Sequence, residues 1–206
     1  MIIYPTYFAS IIQYVALVNE NEILFEVEDS YQKQTYRNRC YIYGANGRQL
    51  LSVPIIHSKN KRNYKTKDIR IDYGSDWQKL HIRSLQSAYR SSPFYEFYED
   101  EVLAIFDKKH NYLLDLDLDV FQVINECLEL DISFNKTIEY QVSIMQEEDY
   151  RYLVNAKIDQ KYPLKKYTQV FDDKHGYISN LSILDLLFNE GPNALQYLED
   201  HQKLLF

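Results

Sequence analysis

The sequence predicts an α/β fold: a mixed sheet that starts with a βαβ unit and is followed by a helical segment. Three observations carry this reading. The apolar run Ile2-Ile3-Tyr4 ends at Pro5. Phe8, Ile11, Ile12, Val15 and Val18 then recur at helical spacing, and Ile23 to Val27 forms a second apolar run. Strand, helix and strand in so short a stretch imply a βαβ unit with parallel strands, so the loop after the first strand and the segment after the second would lie at the same end of the sheet, where ligands of open α/β sheets bind. Farther on, Cys40–Tyr43 and Gln49–Ile56 flank Ala45-Asn46-Gly47, a hairpin signal because Asn-Gly tolerates the positive φ of a tight turn. From Asp76 onward the apolar residues return at helical spacing in successive stretches.

The remaining elements follow from periodicity and breakers. Ile69 and Ile71 alternate with charged residues and predict one more short strand. Asp76 is placed to cap a helix on which Trp77, Leu80, His81, Leu85, Ala88 and Tyr89 fall on one face. Ser92-Pro93 is placed to start the next helix, with Ser92 as N-cap and Pro93 at the first position. A third helix is expected over Leu116–Leu130, extended chain over Ile132–Val142, and a strand at Tyr167–Phe171. Asn180–Phe188 reads as a helix stopped by Gly191-Pro192, and Asn193 to about Leu205 as the last one. No repeat or linker interrupts the chain, so one domain is expected over residues 1–206.

Composition narrows the function classes. The chain has 206 residues, 46% hydrophobic and 26% charged, with 5 Gly, so a glycine-rich cofactor fold and a disordered chain are both disfavoured. It carries 20 Tyr, residues that suit a wet binding surface or substitute for Phe and Leu in a core. Cys40 and Cys127 are too few for a disulfide framework or a zinc site. The start Met1-Ile-Ile-Tyr-Pro has no basic leader, and no apolar run has the length of a membrane span, so a cytoplasmic protein is expected. The net charge of -7 is unevenly spread: residues 1–90 hold 13 Lys and Arg against 8 Asp and Glu, and residues 91–206 hold 10 against 22. The basic first part favours an anionic ligand, and the acidic remainder repels nucleic acid.

The densest polar stretch is Tyr31–Cys40, with Lys33, Arg37 and Arg39 among amides and tyrosines. Guanidinium forks capture phosphate bidentately, and two arginines at i and i+2 of an extended segment point the same way. Lys59, Lys61, Arg62, Lys65 and Lys67 form a basic loop, and Lys79, Arg83 and Arg90 follow on a helix. Asp115-Leu-Asp117-Leu-Asp119 contains the D-x-D spacing of cation-binding transferases. Its apolar neighbours keep helical spacing, so capping and first-turn carboxylates explain it better. The five histidines form no ligand pair, and no metal or cofactor is expected. Glycine-rich phosphate loops and the G-x-S-x-G elbow are absent. Cys40 beside Arg39 reads as a buried strand cysteine rather than a nucleophile.

Tyr36-Arg37-Asn38-Arg39, Leu51-Ser52-Val53-Pro54, Asp76–His81, Ala88–Tyr95 and Asn180–Gly191, in this order, closely resemble the WbqC-like family of bacterial proteins, over nearly the whole chain and in its compact Bacteroidetes form. The resemblance implies a place in O-antigen or other surface-polysaccharide synthesis, without fixing a reaction. Members usually open with Gln-Pro or His-Pro, whereas this chain has Tyr4-Pro5. The resulting expectation is a transferase acting on a phosphorylated or nucleotide-activated sugar, its alternative a non-catalytic binding or assembly protein. Arg37 and Arg39 would hold the phosphate and Asn38 a sugar or base, Lys33 and Arg83 would join them in binding the ligand, and His81 or Asp185 would supply acid–base help. Charge reversal at Arg37 would then abolish binding and leave the fold intact.

Overall fold

A computed structural model describes residues 1–56, 64–142, 144–146, 148–157 and 161–205. The chain opens with strand β1 (Ile2–Ile3), helix α1 (Ile11–Leu17) and strand β2 (Glu22–Phe25), and β1 and β2 pair in parallel. The βαβ start is therefore present. A third parallel strand, β5 (Ser133–Lys136), lies on the far side of β2 and gives the order β1-β2-β5. Asp149 adds a parallel bridge to Ile2 on the outer edge of β1, so a fourth chain segment runs alongside the sheet. The hairpin β3 (Arg39–Gly44) and β4 (Gly47–Ser52) pairs antiparallel through the two-residue loop Ala45-Asn46 and forms a separate sheet.

Helices make up most of the rest: α2 (Trp77–Tyr89), α3 (Tyr95–Ala104), α4 (Leu113–Cys127), the single turn α5 (Asp172–His175), α6 (Ile183–Glu190) and α7 (Asn193–Asp200). Every residue of α1 is buried, which fits a helix enclosed on all sides, and it packs against α6 and α7. The apolar cluster runs from Ile3 in the first strand to Leu198 in the last helix.

Several local expectations shift. Ser92 does not cap α3; its hydroxyl donates to the Tyr89 carbonyl at 2.7 Å and closes the end of α2 instead. Helix α4 starts three residues earlier than its apolar spacing implied, with Tyr112 as N-cap and Asp115 in the first turn. Ile71 and Arg70 make isolated bridges, to Ile55 and Tyr112, rather than a strand ladder. Residues 167–171 form no strand; Tyr167 and Gln169 are held by side-chain bonds described below.

The end of α6 has no freedom. Gly191 closes it at φ 52°, and its N–H donates to the Leu187 carbonyl at 2.9 Å. A Cβ there would stand 2.5 Å from the ring of Phe94, whose own N–H is held by the Phe188 carbonyl at 3.0 Å. Left-handed backbone and a blocked direction act together, so Gly191→Ala should lower stability by roughly 2–4 kcal/mol. Urea denaturation checks this: the midpoint should fall with the slope unchanged.

Candidate functional site

In an open α/β sheet, ligands bind beyond the carboxyl ends of the strands. Three strand ends meet there: Tyr4-Pro5-Thr6 after β1, Glu26 to Asp29 after β2, and Thr137 after β5. The bridge from Asp149 to Ile2, flanked by hydrogen bonds from Ile2 N–H to the Glu148 carbonyl (2.8 Å) and from Tyr150 N–H to the Ile2 carbonyl (2.9 Å), delivers Arg151 to the same end.

The polar groups there are mostly buried and bond to one another, although Glu26 Oε2 and Arg37 Nε have no hydrogen-bond partner among the described residues. Glu26 is fully buried; one carboxylate oxygen accepts from the Glu28 N–H (2.8 Å) and the Thr137 hydroxyl (2.9 Å). The other lies 3.9 Å from Arg151 Nη1. Arg151 donates to both oxygens of Asp149, from Nε at 2.8 Å and from Nη2 at 2.6 Å, and to the Gln141 carbonyl at 2.6 Å. That pairing holds the Asp149 carboxyl below the usual carboxylate range. Beside this group, Arg37 is fully buried and donates to Asp29 at 2.7 Å and to Thr35 at 3.3 Å. Its guanidinium lies 3.9 Å above the Tyr4 ring. Burial pushes the Tyr4 hydroxyl well up, with the Asp29 charge adding to the effect.

Two clefts open at this edge. One, of about 600 Å³, is lined by Tyr4, Tyr140 and Tyr152, by the amides Gln32, Gln146 and Asn155, and by the Asp149–Arg151 pair. The other, of about 460 Å³, is lined by Tyr36, Tyr152, Tyr162 and Tyr177 and by the cations Arg48 and Lys161. Tyr152 and Asn155 line both. The wall between the clefts is the single 3-10 turn Arg151–Val154 and Asn155, whose backbone bridges to Thr35.

None of the site residues singled out in the sequence lines either cleft. Tyr36–Asn38 is one 3-10 turn rather than extended chain, so Arg37 and Arg39 do not act as a forward-facing pair. Arg37 reaches no solvent. Asn38 is buried and donates to the Val53 carbonyl at 2.9 Å, tying the turn to the strand that follows β4. Arg39 is half-buried at the start of β3, and Lys33 and Arg83 are exposed. Residues 57–63 of the basic loop lie outside the described residues, and Lys65 and Lys67 both pair with Glu28.

His81 and Asp185 belong to the interior. His81 Nδ1 shares a 2.8 Å hydrogen bond with the Tyr7 hydroxyl, and burial pushes its pKa down to about 4. Asp185 accepts from the hydroxyls of Tyr89 (2.8 Å) and Tyr167 (2.5 Å) and from the Gln169 amide (2.7 Å). Burial outweighs these bonds and raises its carboxyl to about 6. Cys40 is fully buried, and burial pushes its thiol well up, away from nucleophilic use. Asp115, Asp117 and Asp119 lie on helix α4, where residues two apart face away from each other. Asp119 binds Lys108 and His110, and no metal-holding cluster occurs among the described residues.

Sequence reasoning passed over Arg48, Lys161, Tyr152 and the Asp149–Arg151 pair. Arg48 follows the hairpin turn, and the others lie in a polar stretch without period. Tyr36 and Gln32 do fall within the segment that drew attention, so it reaches the site through its neutral residues.

Fold and clefts together define an α/β protein with ligand-sized cavities at the carboxyl edge of a parallel sheet. Residues 5–159 match the WbqC-like protein family, and the chain belongs to that family. It is also similar to an uncharacterised protein of Mycobacterium tuberculosis, 26% identical over 210 residues that cover 89% of each chain. No solved structure matches it. No helix among the described residues is long and apolar enough to cross a membrane.

Two outcomes follow from the buried charges. Replacing Arg37 by Met leaves the Asp29 carboxylate buried without its cation, which should cost about 3–5 kcal/mol in denaturant unfolding. Charge reversal at this position should unfold the chain rather than only empty a site. His81 is neutral in the folded state down to about pH 4, whereas the unfolded imidazole gains its proton near 6.5. The unfolded state therefore binds more protons between those values, and His81 makes stability fall as pH drops from 6.5 to 4. In His81→Gln, that acid loss should disappear from melting temperatures measured across the window.

Proposed function

We propose that this WbqC-like protein binds a phosphorylated or nucleotide-activated sugar in the smaller cleft and acts on it as a transferase in bacterial surface-polysaccharide synthesis. The supporting observation is the lining of that cleft. Four tyrosines present flat apolar faces with polar tips, Arg48 and Lys161 bring positive charge, and the described lining residues include no carboxylate. Aromatic faces suit the C–H faces of a sugar ring, and cations suit a phosphate. Arg48 also lies 3.7 Å over the Tyr41 ring, which helps hold its guanidinium in place. The volume of about 460 Å³ is within the range of small-molecule sites.

One observation favours the second reading, a binding or assembly protein without turnover. Among the described lining residues of the two clefts, the one carboxylate is Asp149, and Arg151 already engages both its oxygens. His81 and Asp185 are enclosed in the core. A transferase would then rely on positioning and charge rather than on a side-chain base.

A calorimetric titration with sugar 1-phosphates and nucleotide sugars tests the proposal. At least one should bind, and Lys161→Glu should weaken it tenfold or more. If none binds, or the reversal at Lys161 has no effect, the reading falls. Release of phosphate or nucleotide on adding a saccharide acceptor separates the transferase from the binding protein.

A further inference from the structure

The larger cleft differs from the smaller one in charge, although the two share a wall. Its charged lining groups are Asp149 and Arg151, and they are bound to each other through two hydrogen bonds. Arg151 spends a further donor on the Gln141 carbonyl and lies 3.9 Å from the buried Glu26 carboxylate. A phosphate entering here would meet a guanidinium already engaged by one carboxylate, with a second behind it. A cation would meet the guanidinium. The charges cancel in place, so the cleft is built for a ligand that carries none.

The rest of the lining states what kind of neutral ligand fits. Tyr4, Tyr140 and Tyr152 line it with aromatic rings and hydroxyls, and arginines lie over the Tyr4 ring (Arg37, 3.9 Å) and the Tyr140 ring (Arg151, 5.5 Å). Gln32, Gln146 and Asn155 supply amides, each with donors and an acceptor on one short side chain. The side-chain amides of Gln32 and Gln146 have no hydrogen-bond partner among the described residues. Asn155 uses its oxygen to accept from the Lys157 N–H at 3.0 Å and keeps its NH₂ donors. A polyhydroxylated ring matches this set: its hydroxyls both donate and accept around the edge, and its C–H faces are apolar. A purely apolar ligand would strand the amides, and a flat nucleobase would not use so many dispersed donor–acceptor groups.

We propose that the larger cleft is a second binding site, specific for an uncharged saccharide, and that its ligand lies against the Tyr152 side chain, on whose other side the phosphorylated sugar binds. The identity of the neighbouring ligand rests on the function proposed above; the neutral saccharide site does not. A volume of about 600 Å³ leaves room for more than one ring. Tyr152 and Asn155 line both clefts, so the two sites are adjacent, with the Tyr152 side chain between their ligands.

The test is saturation-transfer NMR with methyl glycosides of neutral hexoses and N-acetylhexosamines, and in parallel a sugar 1-phosphate. Three proteins are compared: the unaltered chain, the double variant Gln32→Ala with Tyr140→Ala, and Lys161→Glu. All three substituted side chains are exposed, and unchanged melting temperatures confirm intact folds. At least one glycoside should bind the unaltered chain and Lys161→Glu alike, weaken tenfold or more in the double variant, and resist competition by inorganic phosphate. Failure of every glycoside to bind overturns the proposal. So does binding that survives the double substitution, or that is lost in Lys161→Glu. If the sugar 1-phosphate fails everywhere while a glycoside follows the expected pattern, the neutral site stands and the phosphorylated-sugar reading falls.

Discussion

The carboxyl edge of the sheet depends on one buried ion pair, Arg37 with Asp29. Asp29 comes from the chain that leaves β2, Arg37 from the turn before β3, and Thr66, whose hydroxyl donates to Asp29 at 2.5 Å, from a third segment. The guanidinium also covers Tyr4, the first residue after β1. The segments that carry Tyr4, Asp29, Arg37 and Thr66 are thus tied together around one ion pair. Its desolvation cost is tolerable because Asp29, Thr35 and the Tyr4 ring surround it. The pair sets where Tyr4 stands, and Tyr4 is a wall of the larger cleft.

The βαβ start was legible because its signals are local: a run ended by proline, a helical period, and a second run. The site was legible only in place. The prediction that the chain segments after the first two strands share one end of the sheet holds, with Tyr4 and Gln32 lining one cleft. The prediction of residues missed the clefts because a cation in sequence carries no mark of burial. Asp29 stands eight positions before Arg37, and only the fold brings it within 2.7 Å. The arginine that does border a cleft through an ion pair, Arg151, sits in a polar stretch that joins the sheet through its bridge to β1, a contact between residues 2 and 149.

Tyrosine illustrates the same limit. Ten of the 20 are buried. Several of these are internal hydrogen-bond donors: Tyr89 and Tyr167 to Asp185, and Tyr43 to the Phe171 and Gly176 carbonyls. Composition proposed two uses, core substitute and wet surface, and both occur on one chain. What separates them is not the residue type but where the fold places each ring. Asp185 makes the point: its carboxylate organises three donors from α2 and from the irregular 167–169 segment, which explains why that segment needs no strand ladder.

The same accounting explains why the proposed anion site is built from side chains. In many α/β proteins a phosphate sits on the free N–H groups at the start of the first helix, reached through a glycine-rich turn. That route is closed here. The Ile11 N–H donates to the Leu181 carbonyl at 2.9 Å, and the Ile12 N–H to Asn180 Oδ1 at 2.9 Å. The Gln13 N–H turns back to Ser10 at 3.0 Å. The first N–H groups of α1 are therefore taken by the segment that leads into α6, and the turn before them has Phe8 at φ 42° where a phosphate loop would have glycine. Asn180 itself lines the smaller cleft, with its backbone at φ 53° and its oxygen committed to the helix. With that helix end sealed from inside the protein, the positive charge left at the clefts is that of arginine and lysine side chains, which is why no glycine motif was there to be read.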